Sequence, residues 1–441
     1  MQWHRSEGST SIVPAAGGLS VHNTSPPPGG FQRDETCKGS LTMNPPSPNL
    51  REACPDVALA LSATRLDRMQ TELQHGRPVV MQTAGPAAPV VMLAAVETLN
   101  ATRLRELVLS GGLPRLLLTA ERLRFIGWPQ ASGACSLLLG SHITIERVQR
   151  LAAVLPGAVT TAEHADLVGI RAVTPALEAA LRLTKRIPLV PALLGFELQA
   201  AALPSLLQAE VLRIFDTDLI ASAWPESGAV SNLIRVSDAH VPIAACENCT
   251  LILFRDIHGD SEHVAIVVGQ PDLGRPVPVR LHSACLTGDL LGSLRCDCGD
   301  QLRIGVERLA ETGGVLLYLS QEGRGTGLAN KLRAYRLQDA GLDTIDADRC
   351  LGFSADERDF GPAVTMLKQL GISRIQLLTN NPHKIDVMRR GGLDVVDRVA
   401  LLAPVNPRNA RYVHTKQQRA GHYAQAPLAA DDGAGALTTA G

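Results

Sequence analysis

The chain has 441 residues, 45% of them apolar, 19% charged and 3% aromatic, which suits two or three globular domains and excludes a single small module or a wholly disordered chain. Lys and Arg total 42 against 43 Asp and Glu, a net charge of -1, so no global basic field holds nucleic acid and an anionic ligand must meet a local cluster. No apolar run reaches bilayer length and the N-terminus carries no continuous apolar signal segment, so a cytoplasmic protein without a membrane partner is expected.

Residues 1–55 contain Pro26-Pro27-Pro28-Gly29-Gly30 and Pro45-Pro46-Ser47-Pro48, with too little apolar content to offset ordering, and read as a disordered leader. From Asp56 a helical pattern begins, with Leu66, Met69 and Leu73 on one face, ending near Gly76 before the strand-like Pro78 to Met81. Helices are predicted over Leu104 to Leu109 and over Pro175 to Leu183, the latter capped by Thr174. Short buried strands are predicted at Leu116 to Leu118 and Val211 to Phe215. This first domain runs over residues 56–235, and residues 225–245 read as loop around Pro225, Gly228 and Pro242.

A second domain follows over residues 240–425. Its predicted strands are Val264 to Val268, Val277 to Leu281, Val315 to Leu319 and Ile375 to Leu378. Between them lie helices: Gln301 to Thr312, stopped by Gly313; Leu328 to Ala340, with Leu328, Leu332 and Tyr335 aligned and Gly341 as the stop; and a third from Pro362 to Gly371. Residues 426–441 read as a disordered tail. The fold class is α/β (α+β), two mixed α/β domains between disordered tails.

Nine cysteines, an odd number weighted towards the C-terminal half, suggest reduced thiols, some of them metal ligands. Cys285, Cys296 and Cys298 fall within fourteen positions, two of them on a tight turn, and can converge on one cation, for which Zn²⁺ is the natural choice. Three thiolates leave the fourth position of a tetrahedron open; a closed structural site that adds His282 is the alternative. Cys246-Glu247-Asn248-Cys249 has no second CxxC to complete a metal site and reads as two free thiols. Gly323-Arg324-Gly325-Thr326-Gly327 follows a predicted strand and opens a helix, which puts backbone N–H groups where a phosphate could sit. Arg280, Arg324, Arg358 and Lys384 could together neutralise a triphosphate.

The run Arg280 to Asp289, with Cys296-Asp297-Cys298-Gly299 and Gln301, resembles the zinc-binding signature of GTP cyclohydrolase II, which opens riboflavin synthesis. The likeness continues through Gln321 to Arg324, Lys331 to Tyr335, Asp356 to Phe360 and Thr379 to Lys384, and covers roughly residues 240–425. It implies one catalytic zinc per chain on Cys285, Cys296 and Cys298, with His282 disfavoured as a ligand, and Mg²⁺ accompanying the triphosphate of GTP. It implies hydrolysis at C8 of guanine with loss of formate, and release of pyrophosphate through Arg358, with Asp356 as proton acceptor and Tyr335 in the active site. Substrate contacts would fall on Arg280, His282, Ser283, Gln301, Glu322, Gly323, Arg324, Thr344, Thr379 and Lys384, and the chain would be a homodimer.

Two positions depart from that pattern: Ala284 replaces the usual Glu before the first zinc cysteine, and Ser320 stands where many relatives carry Arg. Ala284 leaves open a paralogue that opens another nitrogen heterocycle or stops at a formylated product. A GTP-binding regulator with structural zinc is a third possibility, disfavoured by Tyr335, Asp356 and Arg358. The first domain, through Gly76 to Val80, Leu116 to Leu123 and Gly127-Trp128-Pro129, looks like a degenerate dihydroxybutanone-phosphate synthase. In place of that enzyme's acidic loop it carries Gln82 to Pro89, which has no carboxylate for a hard cation, so no catalysis is expected there.

Overall fold

The computed structural model of the chain describes residues 55–83, 90–140, 143–157, 168–221, 231–257 and 261–423. The expected leader, apart from its last residue, and the expected tail lie outside the described residues, as does most of the Gln82 to Pro89 loop.

Two seven-stranded sheets organise the chain. The first contains β1 (Val79–Gln82), β2 (Val90–Ala95), β3 (Arg115–Leu118), β4 (Cys135–Leu138), β5 (Val168–Ala172), β6 (Ala192–Leu198) and β7 (Leu212–Phe215) in the order β5-β4-β3-β6-β2-β1-β7. All its pairs are antiparallel except β1 with β7. Side chains alternate between the faces of a strand, and here each face is covered: Val79, Leu93 and Leu117 enter one apolar cluster with Leu66, Met69 and Leu73 of the helix Pro55–Gln74. Val80, Met92, Leu116 and Leu118 enter another. Two covered faces make these strands continuous apolar runs with no alternation to read. The helix Pro175–Thr184 begins as expected, Thr174 Oγ1 accepting from the Leu177 N–H with Pro175 in the first turn.

The second sheet contains β8 (Leu233–His240), β9 (Cys249–Asp256), β10 (Glu262–Val268), β11 (Val277–Ser283), β12 (Gly314–Leu319), β13 (Arg374–Leu378) and β14 (Asp394–Val399) in the order β14-β13-β11-β12-β10-β9-β8. Its β14-β13-β11-β12 half is parallel and its β12-β10-β9-β8 half antiparallel. Chain order runs β11 to β12 on one side and then to β13 on the other, so β11 sits where the winding reverses. In open α/β sheets a crevice opens beyond the carboxyl ends of the strands at such a point.

Two expectations are overturned. Residues 225–245 are not all loop, since β8 fills Leu233–His240; only Leu233 of it is buried, and its larger apolar residues, Leu233, Ile234 and Val236, stop halfway along the strand. The helix Leu328–Asp339 buries Asn330, Lys331 and Ala334, whereas Leu332 of the expected apolar face is 50% exposed. Its inner side faces a polar cleft, so apolar periodicity points the wrong way.

Candidate functional site

The cleft lies at the carboxyl ends of β11, β12 and β13. Cys285 follows β11, and Cys296 and Cys298 come from the turn into the helix Cys298–Thr312, which starts three residues before the predicted Gln301. The three sulfurs lie within 4.8 Å of one another, the only such cluster of metal-ligating side chains among the described residues. Cys285 Sγ and Cys296 Sγ are 3.8 Å apart. Zn–S bonds of about 2.3 Å in a tetrahedron require S···S edges of about 3.8 Å, so the triad fits the ion. Gly288 faces it: a Cβ there would come within 3.0 Å of Cys285 Sγ and of Cys296 Sγ, so a side chain would fill the space between the thiols. Hydrogen bonds from Cys296, Cys298 and Lys331 hold Cys285 well below the thiol range, while the bond to Cys285, with burial, pushes Cys296 up to about 11.

His282 takes no part in the cluster. Its Nε2 is 3.0 Å from Asp289 Oδ1, and Asp289 also accepts from Tyr318 Oη and the Cys285 N–H, which ties the ring to the sulfur loop. The alternative Cys₃His site is therefore not formed. On the same strand, Arg280 Nε, His282 Nδ1 and Ser283 Oγ are buried with no partner in the protein, three polar atoms beside the cleft. Arg280 also donates from Nη1 to the Leu378 carbonyl (2.9 Å) and from Nη2 to Gln301 Oε1 (2.6 Å).

Glu322 joins the sulfur loop to the glycine loop, accepting from the Leu286 N–H at 2.6 Å and from Lys331 Nζ at 2.8 Å, while Lys331 also donates to Cys285 Sγ at 3.0 Å. The glycine loop spends part of its N–H set on itself. It closes as a short 3₁₀ turn, Glu322–Gly325, in which the N–H groups of Gly323, Thr326 and Gly327 are spent on Glu322 Oε1, the Gly323 carbonyl and the Glu322 carbonyl. Gly323 and Arg324 both take positive φ (63° and 61°), turning the Arg324 side chain to the Ala355 carbonyl at 3.2 Å and to Asp348 at 3.7 Å.

Arg358 grips Asp356 through two parallel bonds, Nε to Oδ1 at 2.7 Å and Nη2 to Oδ2 at 2.5 Å. Burial would raise the Asp356 carboxyl, but Arg358 and then Arg324 outweigh it and hold it near about 2. Lys384 donates to the Leu281 carbonyl at 2.7 Å; burial first, then Arg280 and Arg358, depress its pKa, and Asp356 offsets this only in part. Thr379 accepts from the Asn381 N–H at 3.0 Å, Thr344 opens the helix Thr344–Cys350, and Tyr335 lies under the Arg295 guanidinium, 4.5 Å from its ring centre. Every residue predicted for the site lines this one cleft, and so does Ala284. Ser320 turns away, its Oγ on the Glu262 carbonyl.

Sequence reasoning missed Asp348, Tyr412, Lys416 and His422, which also line the cleft. The last three come from the helix Ala410–Arg419 and just beyond it, over a hundred residues from the sulfur loop, yet Lys416 Nζ pairs with Asp297 Oδ1 at 2.7 Å, beside Cys296 and Cys298. Single polar residues on a helix have no spacing signature. Cys246 and Cys249 lie away from the cleft, Cys249 buried in an apolar cluster with Leu309 and Leu316.

Residues 234–400 match the family model of GTP cyclohydrolase II. The chain is 39% identical over 388 residues to the GTP cyclohydrolase-2 of Azospirillum brasilense, covering 84% of this chain and 97% of that one. It is 39% identical over 361 residues to that of Xylella fastidiosa strain 9a5c, covering 81% and 87%. Among solved structures it is similar to a two-domain 3,4-dihydroxy-2-butanone 4-phosphate synthase from A. baumannii at 17% identity, covering 77% of this chain and all of that one, with a TM-score of 0.27. With a relative this similar matched across almost its whole length, the chain belongs to the GTP cyclohydrolase II family, a family of hydrolases.

Proposed function

We propose that the protein is a zinc-dependent GTP cyclohydrolase II of riboflavin biosynthesis, hydrolysing GTP to 2,5-diamino-6-(5-phosphoribosylamino)pyrimidin-4-one, formate and pyrophosphate. The observation that carries this reading is the sharing of one cleft by three thiols at zinc spacing and by Arg280, Arg324, Arg358 and Lys384. A zinc ion on Cys285, Cys296 and Cys298 would supply Lewis-acid activation for the hydrolysis at guanine C8. Lys331, on Cys285 Sγ and Glu322, keeps the thiolate and the glycine loop in one register. The free Arg280 Nε, His282 Nδ1 and Ser283 Oγ are unpaired groups with which β11 could hold the nucleotide.

At the phosphate end, an Arg358 nitrogen attacks the α-phosphorus, the proton it loses passes to Asp356, and pyrophosphate leaves; water then cleaves the P–N bond, which frees the 5′-phosphate, and Asp356 returns the proton to Arg358. The carboxylate is ionised and 2.5 Å from Arg358 Nη2, so this transfer needs no rearrangement. Gln301, Glu322, Gly323, Arg324, Thr344, Thr379 and Lys384 bind substrate in this reading, Tyr335 stands beside the reacting ring, and Mg²⁺ accompanies the triphosphate. We further propose a cytoplasmic homodimer whose first domain, residues 56–235, does no chemistry of its own.

Incubation of the purified chain with GTP, with identification of products and metal analysis, tests the reading. One zinc per chain with formate and pyrophosphate is the expected result. Zinc with no GTP turnover would favour the paralogue suggested by Ala284. The same preparation should form no dihydroxybutanone phosphate from ribulose 5-phosphate.

A further inference from the structure

The first domain packs directly on the loops that carry the candidate catalytic residues. Glu357, between Asp356 and Arg358, accepts from Lys185 Nζ at 2.6 Å, and the two side chains are only 16% and 17% exposed. The same Glu357 oxygen accepts from the Ser354 N–H at 2.5 Å, and the Glu357 N–H donates to the Arg324 carbonyl at 3.1 Å. Lys185 of the first domain thus holds the residue that joins the Asp356–Arg358 pair to the glycine loop.

Further bonds reinforce this one. Arg122, 3% exposed, donates from Nη1 to the Cys350 carbonyl at 2.8 Å, while Nε and Nη2 stay on the Leu151 and Arg150 carbonyls of its own domain. Thr119 Oγ1 donates to the Gly352 carbonyl at 2.8 Å. Glu97 accepts from the Val190 N–H with one oxygen and from Arg333 with the other, on the helix that carries Lys331 and Tyr335. Pro188 and Pro191 fill the space over Gly327 and Gly352. A buried guanidinium satisfied by carbonyls from both sides, and carboxylates ion-paired across the boundary, are costly to separate. That makes the contact specific.

We propose that the first domain is an intramolecular scaffold for the active site, and that Lys185, through Glu357, is a positioning residue for Asp356 and Arg358. The proposal rests on the GTP cyclohydrolase reading for its kinetic readout only. In-line attack at phosphorus tolerates little misplacement, and an error of about 1 Å can cost about a hundredfold in rate. Loosening the 354–358 segment should therefore lower kcat more than it alters KM.

The test uses the full chain as Lys185→Met and Lys185→Arg, with steady-state kinetics on GTP and amide hydrogen exchange followed at residues 354–358 and at β9, remote from the contact. Lys185→Met is expected to speed exchange at 354–358 but not at β9, and to lower kcat about tenfold with KM changed less than about twofold. Lys185→Arg should restore both. Unchanged exchange at 354–358, or equal acceleration at β9, would overturn the proposal. If the wild type fails to turn over GTP while the exchange pattern responds as expected, the GTP reading falls and the scaffold stands.

Discussion

The two sheets are alike in strand number and in having apolar clusters against them, yet they use their polar residues differently. In the first, the buried polar side chains among the described residues are Thr119, Arg122, Ser136, Thr184 and Asp218, and two of these reach out to the second domain. In the second, Arg280, His282, Lys331, Asp348, Thr379 and Lys384 are all buried around one cleft. Burying so many charges is unfavourable unless they pair or meet a ligand, and only the second sheet has a parallel half whose carboxyl ends open a crevice for one. Topology, more than size or composition, separates the sheet that forms the cleft from the sheet that does not.

Several changes would break or sharpen this contrast. The largest effect is expected for Cys296→Ser, which should remove zinc and abolish formate release, whereas Cys249→Ser, in an apolar cluster of the same sheet, should leave both nearly unchanged; metal analysis with a formate assay checks the pair. Equal losses would mean that the cleft is not the only site of thiol chemistry. Next, Arg358→Ala should stop pyrophosphate release with zinc still bound, because the guanidinium contacts Asp356 and not the sulfurs. Turnover of GTP at the normal rate would remove it from the mechanism.

Ala284→Glu is expected to raise GTP turnover about tenfold to a hundredfold. A charged hydrogen bond gained at this cleft residue is worth about 1.5–3 kcal/mol. A fall in activity would instead mean that the cleft is shaped for a different ring, with the new carboxylate left unpaired.

The smallest effect on chemistry is expected at Asp218, which is held by residues of the first domain. Asp218 accepts from Ser62, from two nitrogens of Arg65 and from the Phe215 N–H. Burial pushes its carboxyl up, but these bonds outweigh it and hold the pKa below 3.8. A depressed carboxylate stabilises the fold above its unfolded pKa and loses that contribution as pH falls through the folded value. Asp218→Ala should cost about 3 kcal/mol at neutral pH, with little change in metal content. Melting curves at pH 7 and in acid should show the gap from wild type shrinking as pH falls through the range just below 4. A gap that persists in acid would place the loss in packing, not in the ion pair.

Much of this molecule was legible without coordinates, for identifiable reasons. The Cys285, Cys296 and Cys298 set lies within fourteen positions, and local chain geometry alone can bring such near neighbours to one ion. Thr174-Pro175 and the apolar spacing of Leu66, Met69 and Leu73 announce helices because capping and amphipathic burial act over a few residues. What escaped was set by distance or by polarity. β8 is an exposed edge strand whose larger apolar residues, Leu233, Ile234 and Val236, stop halfway along it, and the helix Leu328–Asp339 buries the polar Asn330 and Lys331 while Leu332 is exposed. The joining of Lys416 to Asp297 and of Lys185 to Glu357 depends on how whole elements pack, 119 and 172 residues apart in the chain. A lone lysine has no spacing to declare its partner. Its role is decided only when the fold removes it from water and places a carboxylate within reach.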